Sequence, residues 1–384
     1  MRVIYADNNA TTQVDPAVFE EMRPFFTERY GNPSSVHGFG SDVGRDVDRA
    51  RERLAAAIGA EHPSEIVFTS CGTESDNTAI RSALASRSGR DRIVTTRVEH
   101  PAVLTLVRRL ERDGFKLTLL GVDKQGRLSL DELKSTMGDD VAVVSIMAAN
   151  NETGTLFPVE EAGHIAHEHG ALFHTDAVQA VGKVPLDLDA GAIDMLSLSG
   201  HKLHAPKGIG ALYVKRGRRF RPFMLGGHQE RGRRGGTHNV PGIVGLGKAA
   251  ELAAAHMKEE RTRVRALRDR LEAGLLKIEA TRVNGDVESR LPGTTNISFK
   301  GVEGEAMLMH LDQNGICASS GSACTSGSLE PSHVLRAMGV PFNYAHGSIR
   351  FSLGRFNTEE DVDEILRVMP QIIEQLRAIS PFGV

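Results

Sequence analysis

A polar loop that holds Ser199, His201 and Lys202 separates two short apolar runs, residues 193–198 and 210–214. The two runs predict strands, so the loop lies at the mouth of a sheet. A lysine in such a place can act as a nucleophilic amine when burial and neighbouring charges lower its pKa. A single lysine in a polar loop is more often an exposed surface residue. The rest of the chain must therefore decide between the two interpretations.

Isolated polar side chains also follow other predicted strands. They are His100 after residues 92–95, Asn151 after residues 141–147, and Asp176 and Gln179 after residues 171–174. In open α/β sheets ligands bind outside the carboxyl ends of the strands, so these side chains should converge with the Lys202 loop. Each of them singly could cap a helix or be satisfied in the core. Burying them together costs free energy unless a polar ligand satisfies them, which predicts a binding site.

Gly72 and Thr73 stand between a predicted strand, residues 66–69, and a predicted helix, residues 73–86. The free N–H groups at the start of a helix and its positive dipole end bind anions. The pair is therefore interpreted as a phosphate cradle. A plain helix start with Glu74 in its first turn explains the same residues.

Pyridoxal phosphate is the ligand that this set of side chains suits. Asp176 would pair with the pyridine nitrogen and keep it protonated, so that the ring acts as an electron sink. His100 would stack on the ring, and Gln179 would donate to the ring oxygen. Lys202 would hold the resting cofactor as a Schiff base.

Cys324 lies in a run of small polar residues, 318–328, that offers no apolar anchor. Such a loop is predicted to be mobile and exposed. A free thiol is usually buried, so an exposed thiol in a flexible loop indicates reactivity. Cys71 and Cys317 stand between apolar residues and are interpreted as structural cysteines.

Arg350 is the one charged residue of an apolar run, residues 349–353, that predicts a strand. An arginine there must be paired or must face a pocket. Its fork of N–H groups suits a carboxylate, which makes it a candidate for binding a substrate carboxylate. An internal salt bridge is the alternative.

The elements that position these residues follow an α/β pattern, because short strands alternate with helices as far as residue 214. This order predicts a mostly parallel central sheet wrapped by helices. Residues 141–147 are nearly all apolar, as expected for a strand that is buried on both faces of its sheet. Helices are predicted over residues 16–30, 44–58 and 240–278, and a smaller α+β region begins near Thr281.

A chain of 384 residues exceeds one hydrophobic core. We predict a large domain, residues 13–255, and a small domain, residues 1–12 and 256–384, that carries the cysteine loop. The formal net charge of −3 argues against a dedicated nucleic-acid binder. Neither a signal peptide nor an apolar run of membrane-spanning length is visible. Three cysteines without a disulfide pattern suit a reducing cytoplasm.

Two further patterns have simple explanations. His164, His167 and His169 could indicate a metal site, but only His164 and His167 share a helical face, so a solvated helix is favoured. The basic runs at residues 216–221 and 231–234 lack an interleaved aromatic platform for nucleic acid. Subunit contacts or a phosphate neighbourhood are favoured for them.

Several motifs together resemble the cysteine desulfurases. They are DNNATT, EHPAVL, ANNETGT, HTDAVQA, SGHKLHAPKGIG, RGGTHN, SSGSACTSGSLEPSHVLRAMG and SIRFSLGR, in collinear order over nearly the whole chain. The resemblance implies the aspartate-aminotransferase-like fold, which is fold type I of the pyridoxal-phosphate enzymes. Details such as FTSCGTES and TGTLFP point to the nitrogen-fixation branch of the family.

The resemblance also implies roles for individual residues. Lys202 would be the Schiff-base lysine, and Cys324 the nucleophile that forms a persulfide. Arg350 and Asn151 would bind the substrate. The cofactor contacts carried over are Gly72, Thr73, His100, Asn151, Asp176, Gln179, Ser199, His201 and Lys202, with Thr237 reaching the phosphate of the neighbouring subunit's cofactor in a homodimer. His238 departs from the family, which more often has Glu or Leu there.

The implied reaction takes sulfur from L-cysteine through a ketimine of the cofactor, giving L-alanine and a persulfide on Cys324. His100 would donate and accept protons. An iron–sulfur cluster scaffold protein would receive the sulfur, with nitrogenase clusters as the expected destination and Cys324 as a transient iron–sulfur ligand. The alternatives are another pyridoxal-phosphate lyase, such as a selenocysteine lyase, and a non-enzymatic sulfur carrier. The carrier leaves Lys202, Asp176 and Arg350 without a role.

Overall fold

The computed structural model describes residues 2–188, 190–320 and 331–380. Its helices are α1 Pro16–Met22, α2 Pro24–Thr27, α3 Gly38–Ile58, α4 Gly72–Ser86, α5 Pro101–Arg112, α6 Leu130–Thr136, α7 Val159–Glu168, α8 Val240–Glu259, α9 Arg265–Leu275, α10 Gly304–Gln313, α11 His333–Ala337, α12 Phe342–Ala345 and α13 Glu359–Ile379. Its strands are β1 Ile4–Tyr5, β2 Ile66–Thr69, β3 Arg92–Thr96, β4 Lys116–Leu120, β5 Val141–Ser145, β6 Leu172–Asp176, β7 Met195–Ser199, β8 Gly210–Val214, β9 Thr281–Asn284, β10 Thr294–Phe299, β11 Ile316–Cys317 and β12 Ser348–Ser352.

Seven strands form the central sheet, in the order β2-β8-β7-β6-β5-β3-β4. The strands from β7 to β4 run parallel to their neighbours, whereas β8 is antiparallel to both β7 and β2. Ile66 and Phe68 of β2 pack into one hydrophobic cluster and Val67 into another, so both faces of the sheet are covered. Such two-sided burial explains the apolar sequences of the inner strands. The α/β fold with a mostly parallel sheet, predicted from the sequence, is confirmed.

A second hydrophobic core forms around a three-stranded antiparallel sheet, in the order β12-β10-β9. The N-terminal strand β1 pairs parallel with β11, and Ile4 and Ala6 belong to this second core. Residue Asp7 also bridges to Ser352 at the end of β12. The first residues of the chain are therefore held by its last third. The domain boundaries at residues 12 and 255 stay a prediction.

Three predicted helices differ from the observed ones for local reasons. Residues 16–30 form two short helices because Pro24 begins a new one, where a missing N–H does no harm. The helix predicted over residues 44–58 starts earlier, at Gly38, because His37 caps it. The helix predicted over residues 240–278 contains a π-turn, Glu260–Val264, between α8 and α9. None of the helices in the described ranges has the length and apolar character needed to span a membrane.

Helices α3 and α8 pack closely where Gly247 faces Ala50. A Cβ atom added at Gly247 would lie 2.6 Å from the Cα atom of Ala50. We therefore expect Gly247→Ala to lower the free energy of unfolding by about 1–3 kcal/mol, since the two helices must move apart. Gly38→Ala is the control, because its Cβ would meet no atom within 4 Å. Urea unfolding should show that Gly38→Ala is as stable as the wild type or more stable. Equal stability of Gly247→Ala and Gly38→Ala would contradict the close packing.

Candidate active site

One cleft brings together most of the residues that the sequence singles out. Its volume is about 450 Å³, and it lies at the carboxyl ends of β5, β6 and β7, beside the start of α4. The predicted residues that line it are Gly72, Thr73, His100, Asn151, Asp176, Gln179, Ser199, His201, Lys202 and Arg350. Thr237 is exposed and does not line the cleft. Cys324 lies outside the described residues.

Lys202 ends a short 3₁₀ turn, Gly200–Lys202, that follows β7 directly. Its Nζ atom donates to the carbonyl oxygens of Asn9, at 2.5 Å, and Ala10, at 2.7 Å. Burial and then the cations Lys183 and Arg350 lower the pKa of Lys202 to about 7, against the smaller opposing effects of Asp7 and Asp176. The amine is therefore accessible in its neutral form near neutral pH. Lys202 is not the exposed surface lysine of the simpler interpretation.

Asp176 is buried at the end of β6, where its Oδ1 atom accepts the N–H of Val178 at 2.9 Å. Burial raises the pKa of Asp176, although the cationic forms of His100 and Lys202 oppose this. A carboxylate in this position is stabilised by a positive group beside it. The aspartate is therefore ready to receive a protonated ligand nitrogen.

His100 caps the start of α5, and its Nδ1 atom accepts the N–H of Ala102 at 3.1 Å. Burial lowers the pKa of His100, so the ring is neutral near pH 7. Because Nδ1 is an acceptor, the proton of the neutral ring sits on Nε2. His201 is neutral as well, since burial and then Lys202 lower its pKa to about 4. His100 and His201 thus add no charge that would compete with Lys202.

Helix α4 begins at Gly72, and its N-cap residue Cys71 makes no side-chain capping bond. The start of this 15-residue helix lines the cleft, so its first N–H groups are available to an anion. Glu74 does not occupy that position, because it accepts the N–H of Ser70 at 2.7 Å and pairs with Arg234 at 2.9 Å. Cys71 is half-buried and lines the cleft, whereas the sequence interpretation made it a purely structural cysteine.

The N-terminal segment contributes a residue that sequence reasoning missed. The main-chain oxygen of Asn9 accepts from Lys202, and it also accepts Nε2 of Gln179 at 2.9 Å. The side-chain amide of Asn9 donates to the carbonyl of Asn151, at 3.2 Å, and to Oγ1 of Thr294, at 2.9 Å. Asn9 therefore joins the cleft to the second core. The polar DNNATT motif after the first strand was the available signal.

Arg350 in β12 is buried and lines the cleft, but it already has partners. Its guanidinium donates to Oδ1 of Asp7 at 2.7 Å and to the carbonyl of Asn151 at 2.9 Å. Its Nε atom is buried and has no hydrogen-bond partner among the described residues. The internal ion pair and the cleft-facing position, which the sequence treated as alternatives, are thus both present.

The residues that follow the cysteine run form a further wall of the cleft. Ser332 donates to Glu152, and Nε2 of His333 contacts the carbonyl oxygen of Glu99 at 3.0 Å. Both glutamates follow strands of the central sheet and are buried. Sequence reasoning missed this wall, because Glu99 and Glu152 look like ordinary polar neighbours of His100 and Asn151.

The loop that bears Thr237 is held by a buried ion pair. Glu230 and Arg231 have positive φ angles of 48° and 58°, a strained region for residues other than glycine. Arg51 binds both oxygens of Glu230 at 2.7 Å, and His238 lies 2.8 Å from Oε1. Burial alone would raise the pKa of Glu230, but hydrogen bonds from Arg51 and His238 lower it to about 2. His238, which differs from the Glu or Leu more usual in the family, therefore has a structural role: it helps to hold Glu230.

We expect Glu230→Gln to reduce the free energy of unfolding at pH 7 by about 3 kcal/mol, because the variant leaves Arg51 with an uncharged partner. The folded-state pKa is depressed, so the contribution is present above the usual pKa of 4.5 and is lost as pH falls toward 2. The stability difference between wild type and variant should therefore shrink by more than half on acidification to about pH 3. Urea unfolding at several pH values measures this.

The control is Glu364→Gln, since Glu364 makes an exposed pair with Arg367. Solvent screens such an exposed pair, so little change is expected at any pH. A Glu230→Gln penalty that stays constant with pH would contradict the assignment.

A second, larger groove of about 1010 Å³ lies between residues 156–161 and the α8–α9 region. Its lining includes the basic residues Lys258, Arg261 and Arg265, several glutamates, and the apolar residues Phe157 and Met257. None of the candidate site residues within the described ranges lines it. The chemistry of the side chains, not the size of the cavity, therefore identifies the smaller cleft as the candidate active site.

Residues 4–365 match the family model for class-V aminotransferases. Curated relatives agree over the full chain: a cysteine desulfurase from Nostoc is 61% identical, covering 100% of this chain and 96% of that protein. The cysteine desulfurase NifS of Azotobacter vinelandii is 58% identical, covering 100% and 95%. The chain belongs to the cysteine desulfurases of the class-V aminotransferase family.

Solved structures give the same result. A NifS-like protein superposes with a TM-score of 0.91 at 41% identity, covering 98% of this chain and 100% of that one. A NifS-like protein from Rickettsia africae gives 0.87 at 31% identity, covering 97% and 100%. The fold is therefore that of the fold-type-I pyridoxal-phosphate enzymes. An enzyme, not a non-enzymatic sulfur carrier, is what this family membership supports.

Cysteine desulfurases depend on pyridoxal phosphate, and the residues of the cleft fit that group. The start of α4 offers N–H groups to a phosphate, and Asp176 offers a buried carboxylate to a protonated ring nitrogen. Lys202 offers an amine whose pKa is lowered to about 7. A cavity of about 450 Å³ lies within the range of small-molecule sites.

Proposed function

We propose that this cysteine desulfurase transfers the sulfur of L-cysteine to Cys324 and releases L-alanine, and that the residues of the cleft bind the cofactor and the substrate. The observation that carries the proposal is the meeting of Lys202, Asp176 and His100 in one cleft at the strand ends. A lysine amine with a lowered pKa suits covalent attachment of an aldehyde cofactor. The buried acid suits its ring nitrogen.

The cofactor would be held from several sides. Asp176 would pair with the ring nitrogen, His100 would stack on the ring, and Gln179 would donate to the ring oxygen. The contacts proposed for the phosphate are Gly72, Thr73, Ser199 and His201, with Thr237 from the second subunit of a homodimer. When bound, the cofactor supplies an electron sink for the bonds around the substrate Cα atom.

Lys202 is proposed to move the proton of the substrate Cα atom. Its neutral amine accepts a proton at Nζ, and its lowered pKa makes both protonation states accessible. His100, which holds its proton on Nε2, would be a second proton donor and acceptor. Arg350 and Asn151 would bind the substrate carboxylate, so Arg350 would share its guanidinium between that carboxylate and Asp7.

Cys324 is proposed to be the sulfur acceptor. Its thiolate attacks the substrate sulfur, a sulfur–sulfur bond forms, and the bond between Cβ and sulfur breaks. The electron pair of the broken bond remains on the three-carbon fragment, which takes up protons and leaves as alanine. An acceptor thiolate in the cytoplasm then attacks the outer sulfur of the persulfide, the bond between the two sulfur atoms breaks, and Cys324 leaves as a thiolate. We propose an iron–sulfur cluster scaffold as that acceptor, with nitrogenase clusters as the destination and Cys324 as a transient ligand.

Cys324→Ala should abolish release of sulfide from L-cysteine in the presence of a reductant, while the visible absorption of the bound cofactor remains. The reason is that only the acceptor thiol is lost. Cys317→Ala is the matched control, because Cys317 does not line the cleft and should keep its activity. Mass spectrometry of the wild type after L-cysteine should find one added sulfur on Cys324, together with free alanine. Sulfide release by Cys324→Ala would contradict the persulfide route.

Lys202 should be the residue that binds the cofactor covalently. Borohydride reduction of the loaded enzyme, followed by digestion and mass spectrometry, should place the cofactor mass on the peptide with Lys202. Lys202→Ala should lose this adduct, since no other amine replaces its contacts. An adduct on Lys183 instead would contradict the assignment. Parallel assays with L-selenocysteine would test the selenocysteine lyase alternative.

A further inference from the structure

Lys183 is a second lysine beside the cleft, on the same chain segment as Asp176 and Gln179. It follows β6 after a series of tight turns, in which its N–H donates to the carbonyl of Ala180 at 3.0 Å. Gly182, with φ 75°, lets this segment approach α8, because a Cβ there would lie 2.8 Å from Cβ of Ala253. The close approach directs Lys183 inward, where Lys183 and Lys202 both line a small void of about 30 Å³.

Lys183 and Lys202 both donate hydrogen bonds to Asn9, one to its side chain and the other to its main chain. Nζ of Lys183 donates to Oε1 of Gln179 at 3.1 Å and to Oδ1 of Asn9 at 3.3 Å. Nζ of Lys202 donates to the main-chain oxygen of Asn9, which also accepts Nε2 of Gln179. Lys183, Gln179, Asn9 and Lys202 thus form one connected network. The charge of Lys183 also acts on Lys202 directly, by electrostatic repulsion.

The charged groups around the two amines do not cancel. Burial lowers the pKa of Lys183 to about 8, with Glu260 opposing and Arg350 assisting. Burial also lowers the pKa of Lys202 to about 7, and the charge of Lys183 is the next largest cause of that lowering. The titratable and charged groups that act on Lys202 or respond to it are Lys183, Arg350, Asp7, Asp176, His100 and His201.

We propose that Lys183 is a positioning residue for the reaction: its ammonium group orients Gln179 and Asn9 and supplies the nearby positive charge that favours the neutral amine of Lys202. This inference rests on the proposed role of Lys202. Lys183 touches neither substrate nor cofactor in this scheme. It acts because a like charge close to a buried ammonium group destabilises the protonated form.

The test measures how pH changes the reactivity of Lys202 in the full-length chain freed of cofactor. Acetic anhydride labels neutral amines, and peptide mass spectrometry follows the labelling of Lys202 as pH rises. The wild type should show a midpoint near 7. Lys183→Gln and Lys183→Met, which remove the charge, should raise this midpoint by about one pH unit. The pH profile of kcat/KM in the loaded enzyme should move in the same direction.

Two control variants separate charge from structure. Lys183→Arg keeps the positive charge and should keep the midpoint near the wild-type value. Lys207→Met removes an exposed charge that acts on His201 but is not among the charges that shift the pKa of Lys202, and it should also leave the midpoint unchanged. Where Lys183→Met fails to fold, the comparison of Lys183→Gln with Lys183→Arg decides.

The inference is overturned if Lys202 of the Lys183→Gln variant titrates at the wild-type midpoint. It is also overturned if Lys183→Arg shifts the midpoint as far as Lys183→Gln does, since the effect would then be structural. Failure of the proposed function looks different. In that case borohydride attaches no cofactor to Lys202 even in the wild type.

Discussion

The rest of the site depends on the burial of Lys202, which withdraws its amine from water. An ammonium group at the strand ends is costly to bury, and the nearby carboxylates Asp7 and Asp176 do not offset the cations Lys183 and Arg350. The backbone carbonyls of Asn9 and Ala10 accept hydrogen bonds from the amine and offset part of this cost. The result is a lysine that is held by hydrogen bonds and yet gives up its proton near neutral pH. An exposed lysine would keep the usual high pKa of its amine and would be protonated, and therefore not nucleophilic, near neutral pH.

The N-terminal segment links this constraint to the overall architecture. Its strand β1 pairs with β11, and Asp7 pairs with Arg350 of β12. Two residues later, Asn9 contacts Lys202 of the central sheet and Thr294 of the second core. A short piece of chain thus fixes the position of the two cores relative to the reactive amine. Its backbone oxygens, which need partners when buried, supply that function.

Buried acids complete the electrostatic setting of the cleft. Burial raises the pKa of Glu99 to about 8 and raises that of Glu152. A pKa of about 8 leaves Glu99 largely protonated near pH 7, and both side chains form hydrogen bonds. Glu99 accepts from the N–H of Met147, and Glu152 binds Ser332. The charged residues that line the cleft include Lys202, Arg336, Arg350 and Asp176.

The sequence alone determined the α/β fold and the residues at the strand ends, because apolar strands and the polar residues after them are local patterns. His100, Asp176 and Lys202 could be found in this way, and the parallel sheet brought them together as expected. Only the tertiary structure decided the parts made by distant segments. Asn9, the Arg350–Asp7 pair and the place of Lys183 depend on contacts between residues far apart in the chain. No local pattern records such contacts, because they form only when the two cores pack against the N-terminal segment.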